Sequence, residues 1–253
     1  MGSDFLTSPF DNLLKPVDNH LIVHNELMTS LILGNKISIY STENGIPDID
    51  SLDIAIIGIP ENRNSIDYLG DDLNLNEIRK SFYNLFPGNW STRIADLGNL
   101  ILGENVEQTY GRIISLTSIL FEKNVIPIII GGSQDLLYAN YRAYDSFKNT
   151  VNLVNIDSNF DLGDSSKPIN NLSYLGKIIL EEPHNLFNYS NLGYQTYHNP
   201  QEEIDLMENL YFESYRLGNV CSKISMVEPV LRDADIVSID LKSIRASELS
   251  SRQ

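Results

Sequence analysis

Three acids sit close together in VNIDSNFDLGD (154–164): Asp157, Asp161 and Asp164, with Asn159 between the first two. Two other stretches end in polar residues of the same kind, GGSQD (131–135) and VSIDLK (237–242), which bring Gln134, Asp240 and Lys242 into consideration. Carboxylates that converge on one edge of a sheet can hold a hard divalent cation, and such an ion lowers the pKa of a bound water until it becomes a nucleophile. A second reading is purely structural, with Asp157 and Asp240 capping adjacent loops by accepting backbone N–H bonds. The double glycine of GGSQD lets backbone N–H groups approach an anion. It lacks the full glycine pattern of a phosphate-binding loop, so a plain tight turn is the reading adopted.

The elements that must position these residues are legible as an alternation. Short β-branched runs at 53–59, 93–97, 126–130, 151–157, 191–197 and 234–240 are separated by helical stretches. Strands this apolar are ordinarily buried on both faces of a parallel sheet. The expected fold is α/β, a three-layer α/β/α sandwich with a mainly parallel sheet. Residues 1–50 carry short apolar pieces without a sustained period and are expected to form an arm that packs on a single domain of residues 51–253.

Two helices can be read in detail. Asn105, followed three residues later by Gln108, resembles a capping box, and Val106, Tyr110, Ile113, Thr117 and Leu120 then recur at helical spacing, with Asn124 as the terminator. A second helix is expected after Asn199, with Pro200 in its first turn and a stripe of Ile204, Met207, Tyr211 and Tyr215. That stripe runs through ENLYFES (208–214), which is therefore read as helix.

Composition bounds the function. The chain has 253 residues, 42% of them hydrophobic, and 34 Asp and Glu against 18 Lys and Arg give a formal charge of -16. That balance disfavours nucleic-acid phosphates and anionic membranes as partners. The one cysteine, Cys221, excludes an intrachain disulfide. The N-terminus shows no basic start with an apolar run, and Leu6 breaks a myristoylation motif at Gly2, so a soluble cytoplasmic protein is expected. His20 with His24, and His184 with His198, are read as surface or capping residues. Tyr189, Tyr194 and Tyr197 could line a pocket near the 158–176 loop, with core packing as the default.

Taken together, IIGIPENRN, EIRK, DLGN (96–99), IIIGGSQD, VNIDSNFD and VSIDL, in this order and spacing over about residues 53–248, resemble the ureohydrolases. These are the arginases, agmatinases and formiminoglutamases, and the formiminoglutamase-like branch is the nearest. The resemblance implies hydrolysis of a C–N bond in a linear amidine or guanidine. It also implies two manganese ions, assembly into homo-oligomers, and six ligand positions at Gln134, Asp157, Asn159, Asp161, Asp240 and Lys242. Only the three aspartates keep a ligand type of the family. Ser133 replaces the aspartate of the family's double-glycine motif, and no histidine lies between His24 and His184.

Three carboxylates and one ammonium leave a formal charge of -2 where the family balances four carboxylates against two divalent ions. Lys242 is therefore expected to stand in for a cation, leaving either no metal or one weakly bound divalent ion on Asp157, Asp161 and Asp240. Two readings follow: a non-catalytic homologue kept as a binding or assembly protein, or a C–N hydrolase with an altered, mononuclear metal. The resemblance further implies a substrate-binding loop, a strand and a helix after the last acidic pair, with no counterpart expected in ASELSSRQ (246–253).

Overall fold

The computed structural model describes residues 10–244 except 11, 67, 69, 71, 72 and 165, so Gly2, Leu6 and the ASELSSRQ end lie outside the described residues. The chain separates into two compact units, residues 1–63 with 67–133, and residues 64–66 with 134–253.

The first unit runs β1 (Leu14–Lys15), α1 (Asn19–Leu27), β2 (Ser38–Ile39), β3 (Ile54–Gly58), α2 (Asn76–Tyr83), β4 (Ile94–Leu100), α3 (Val106–Glu122) and β5 (Ile126–Ile130). β3 pairs in parallel with both β4 and β5, while β2 adds in parallel and β1 antiparallel to β4. The segment expected as an arm thus contributes two short strands to this sheet. β5 ends the sheet, and Ile126 and Ile130 bond to β3 through Asp53 and Ile59. Alternate residues of a parallel strand face opposite neighbours, so Pro127 turns its missing N–H away from β3, to the side where β5 pairs with no strand among the described residues.

α3 forms as its sequence dictates. The Asn105 side chain accepts from the Gln108 N–H at 2.8 Å, and Gln108 in turn accepts from the Glu104 N–H at 3.0 Å. Val106, Tyr110, Ile113, Thr117 and Leu120 are all buried. At the other end Val125 N–H reaches Leu120 O and Asn124 N–H reaches Phe121 O, with Asn124 at φ 56°. This is a Schellman stop with asparagine in the left-handed position.

The second unit runs α4 (Leu136–Arg142), β6 (Val151–Ile156), α5 (Tyr174–Leu180), β7 (Leu186–Tyr194), α6 (Gln201–Asn209), β8 (Glu213–Arg216), α7 (Leu217–Ser222), α8 (Val227–Arg232) and β9 (Ile236–Ile239). Its sheet has the order β8-β7-β6-β9, and every pairing is parallel. Tyr141, Leu153, Phe160, Tyr174, Tyr189 and Met207 belong to its core.

Two expectations are corrected here. β7 begins at Leu186, five residues before the expected run, because Leu186–Tyr189 pairs with Val151–Leu153 despite its mixed polarity. The helix over ENLYFES stops at Asn209: Phe212 N–H bonds Met207 O, Tyr211 N–H bonds Glu208 O, and Tyr211 sits at φ 56°. Tyr211 is therefore exposed, and Tyr215 lies on β8. Met207 is buried and Ile204 partly so, as the first half of the stripe requires. Among the described residues no helix is long and apolar enough to cross a membrane.

Candidate functional site

Within the second unit, side chains alternate along β6 so that Leu153, Asn155 and Asp157 share a face. The register sets Asn155 beside Asn191 of β7 and Ser238 of β9, and Leu153 beside Tyr189. A row of polar side chains therefore crosses three strands just below the strand ends. Gln134, immediately before α4, donates from Nε2 to Asn155 Oδ1 at 3.0 Å and to Ser238 Oγ at 3.1 Å. Asn155 Nδ2 donates to the Tyr174 hydroxyl of α5 at 2.9 Å. Burial holds the Tyr174 phenol well above its ordinary pKa, so it stays neutral within this network.

Asp157 follows β6 and is 1% exposed. Its Oδ1 accepts from the Asn159 N–H at 3.0 Å, which is the loop cap anticipated from the sequence, while its Oδ2 has no partner. Asn159 is engaged on every side: Oδ1 accepts from Ser158 Oγ at 2.9 Å, Nδ2 donates to His198 O at 3.0 Å, and its carbonyl accepts from Asn191 Nδ2 at 2.9 Å.

Asp161 is the most unusual residue of the loop. Its backbone occupies the left-handed region at φ 57°, its carbonyl accepts from Leu175 N–H at 3.2 Å, and it is 4% exposed. Neither carboxylate oxygen meets a donor. Burial raises its pKa well above the ordinary carboxylate value, the nearby Asp157 carboxyl and then Asp240 push the same way, and Lys242 acts in the opposite direction. Asp157 is also raised, chiefly by burial, against the Asn159 N–H and with Asp240 adding to it. The two carboxyls are close neighbours, and a hydrogen bond between them needs one of them to hold a proton.

Asp240 is half-buried after β9 and accepts from the Lys242 N–H at 2.7 Å, so it too caps its own turn. Lys242 departs from expectation. Its side chain is exposed, and no ion pair among the described residues includes it. The turn that Asp240 caps carries the lysine side chain outward, so its charge acts on Asp161 without contact. Asp164 stands apart and exposed, accepting from Ser166 and pairing with Lys167 at 3.4 Å. Among the described residues, no group of three or more His, Cys, Asp or Glu side chains is arranged to hold a metal.

Of the three tyrosines considered, Tyr189 is fully buried, Tyr194 packs its ring 4.9 Å from that of Phe160, and Tyr197 is exposed. The sequence reading overlooked Asn155, Tyr174, Asn191 and Ser238. A signal for them was available, since Asn155 and Ser238 each lie two residues before an aspartate and so share its face.

The stretches of the first unit that carry the resemblance do different work. Both Asp96 oxygens are satisfied: Arg79 donates Nε to Oδ2 at 2.8 Å and Nη2 to Oδ1 at 3.1 Å, the Tyr83 hydroxyl donates at 2.7 Å and the Gly98 N–H at 2.9 Å. Glu61 accepts from Arg63 Nε at 2.9 Å, Arg63 N at 3.1 Å and Thr109 Oγ1 at 2.9 Å. Burial pushes the Glu61 carboxyl up, but the Arg63 and Thr109 bonds outweigh it and hold its pKa below the ordinary value.

A mixed α/β chain with mostly parallel strands and acids at their C-terminal ends defines the class. The arginase family model matches residues 52–247, and the chain belongs to the arginase family. No curated protein sequence matches it. Among solved structures, Trypanosoma cruzi formiminoglutamase with manganese is similar at 18% identity and a TM-score of 0.71, over 85% of this chain and 76% of that one. Bacillus subtilis formimidoylglutamase is similar at 18% identity and a TM-score of 0.62, over 88% and 75%. A putative agmatinase from Clostridium difficile is similar at 16% identity and a TM-score of 0.65, over 79% and 75%. At these identities the likeness establishes the ureohydrolase fold.

Proposed function

We propose that this arginase-family chain has lost the dinuclear manganese centre and serves as a non-catalytic binding or assembly protein of the cytoplasm. The observation that carries the reading is the chemistry of the donor set. Gln134 and Asn159 are amides engaged as struts between strands and loops, Asn159 on both ends of its side chain. Lys242 is exposed and, while protonated, has no lone pair to offer. Imidazole nitrogen suits transition metals and is missing from all six positions. These residues do not fit two manganese ions, whose role when bound would be to generate a hydroxide nucleophile. Arg-, agmatine- and formiminoglutamate-hydrolysis assays test the reading: protein incubated with Mn²⁺ should release no more urea or formamide than a metal-free control. Release well above that control overturns it.

One observation favours the second reading, a linear-amidine C–N hydrolase with an altered metal. Three oxygens of Asp157 and Asp161 are buried without a donor, a state that a bound cation would relieve. Product release dependent on Mg²⁺ or Ca²⁺ in the same assay would select it.

A further inference from the structure

We propose that the first unit carries a small-molecule site of its own, shaped for one free α-amino acid with an aliphatic side chain. This site goes beyond the reading above and rests on the first unit alone, so neither the presence nor the loss of a metal bears on it.

A cavity of about 390 Å³ is lined from β1, the end of β4 and the approach to α2. That volume lies at the small end of ligand pockets and suits a metabolite better than a nucleotide. Pairing of β1 with β4 sets Lys15 beside Asn99, and Asp18, Asn74 and Asn76 complete the polar part of the wall. The rest is apolar, from Pro60, Leu73, Leu75 and Leu102. Gly58 lets two of these residues approach closely, since a Cβ there would lie 2.1 Å from Asn99 Oδ1 and 2.9 Å from Leu75 Cδ1.

The bonds made around the wall decide which polar groups are left for a ligand. Asn99 Oδ1 accepts from Nη1 of the buried Arg79 at 2.7 Å, and Asn74 Oδ1 accepts from the Asn76 N–H at 2.9 Å. An amide whose oxygen is taken in this way offers its –NH₂ end, and neither Nδ2 has an acceptor among the described residues. Lys15 is exposed, and no ion pair among the described residues includes it. One ammonium and two amide donors are a receptor for a carboxylate. Asp18 supplies the opposite pole. Its Oδ2 accepts from Asn76 Nδ2 at 2.8 Å, while its Oδ1 lies 3.7 Å from His20 Nδ1, beyond hydrogen-bond reach, and is left to receive an ammonium group. Charge selects the class. Lys15 and Asp18 sum to zero and the Arg79 charge is met by Asp96, so a phosphate dianion would leave an excess of negative charge and a zwitterion leaves none. The leucines and the proline then receive an aliphatic side chain.

Calorimetric titration of the full chain with L-leucine should show one site. Isocaproate, which keeps the side chain and carboxylate but lacks the ammonium, and isopentylamine, which lacks the carboxylate, should each bind on the order of tenfold more weakly. Lys15→Gln should weaken leucine binding by about tenfold or more and leave isopentylamine unaffected, and Asp18→Asn should weaken leucine and leave isocaproate unaffected. Lys80→Gln, which removes an exposed lysine of α2 outside the cavity wall, should change nothing. Circular dichroism confirms that each variant is folded. No binding of leucine by the wild type overturns the proposal, as does binding that Lys15→Gln leaves intact. Isocaproate bound as tightly as leucine overturns the amino-acid assignment. Since the titration needs neither metal nor hydrolysis, its failure leaves the reading of the metal centre standing, and hydrolysis with manganese would leave this site standing.

Discussion

The two units bury carboxylates in opposite ways. In the first, Asp96 is completely buried against Arg79, Tyr83 and a backbone N–H, and Glu61 against Arg63 and Thr109, so every oxygen has a donor. In the second, Asp157 and Asp161 are as deeply buried and three of their four oxygens have none. A satisfied buried acid ties elements together. An unsatisfied one costs stability and persists where something else, a proton or a cation, completes it.

The largest expected effect breaks the satisfied side. Arg79→Ala leaves Asp96 charged in the core without its ion-pair partner, held only by the Tyr83 hydroxyl and the Gly98 N–H, and should lower unfolding free energy by about 3–5 kcal/mol in urea titration; a change within about 0.5 kcal/mol would dissolve the contrast. Glu61→Ala should cost less, about 1–3 kcal/mol, because Arg63 can turn to water. On the unsatisfied side the sign reverses: in chelator-treated protein Asp161→Asn should raise stability, by about 1–2 kcal/mol. A loss of stability there would mean that the carboxylate has a structural partner.

The pH response separates the two regions as well. Glu61, held below its ordinary 4.5, contributes stability above that value that is lost as pH falls through its lowered pKa. Asp157 and Asp161, raised above 3.8, act the other way. In cation-free protein their contribution is full below about 3.8 and declines as pH rises through their raised values. Asp161→Asn should flatten that decline, measured by melting at a series of pH values. Smallest of all, Thr109→Val should cost about 1 kcal/mol through the lost hydroxyl bonds to Glu61 and the Gly103 N–H.

Much of this fold was legible because its signals are local. α3 could be bounded from Asn105, Gln108 and Asn124 alone, since asparagine both caps a helix and tolerates left-handed backbone. α6 ends in the same Schellman geometry, but with Tyr211 in the left-handed position, a residue whose type announces nothing of the kind. The helical period therefore appeared to run on into β8. At the site, Asp157, Asp161 and Asp240 could be found from residue type and spacing. The outward course of Lys242 and the engagement of Asn159 could not, because both follow from hydrogen bonds to backbone groups that carry no sequence signature. Nor could the partnerless state of Asp161, which depends on what surrounds it.

The central claim, that this arginase-family chain no longer carries the paired metal centre, is tested most directly by metal analysis of protein purified without chelator and then dialysed against Mn²⁺, with urea and formamide assayed on the same sample. The account predicts fewer than two equivalents of manganese and no product above the metal-free control. Two equivalents of manganese accompanied by hydrolysis of arginine, agmatine or formiminoglutamate would contradict it.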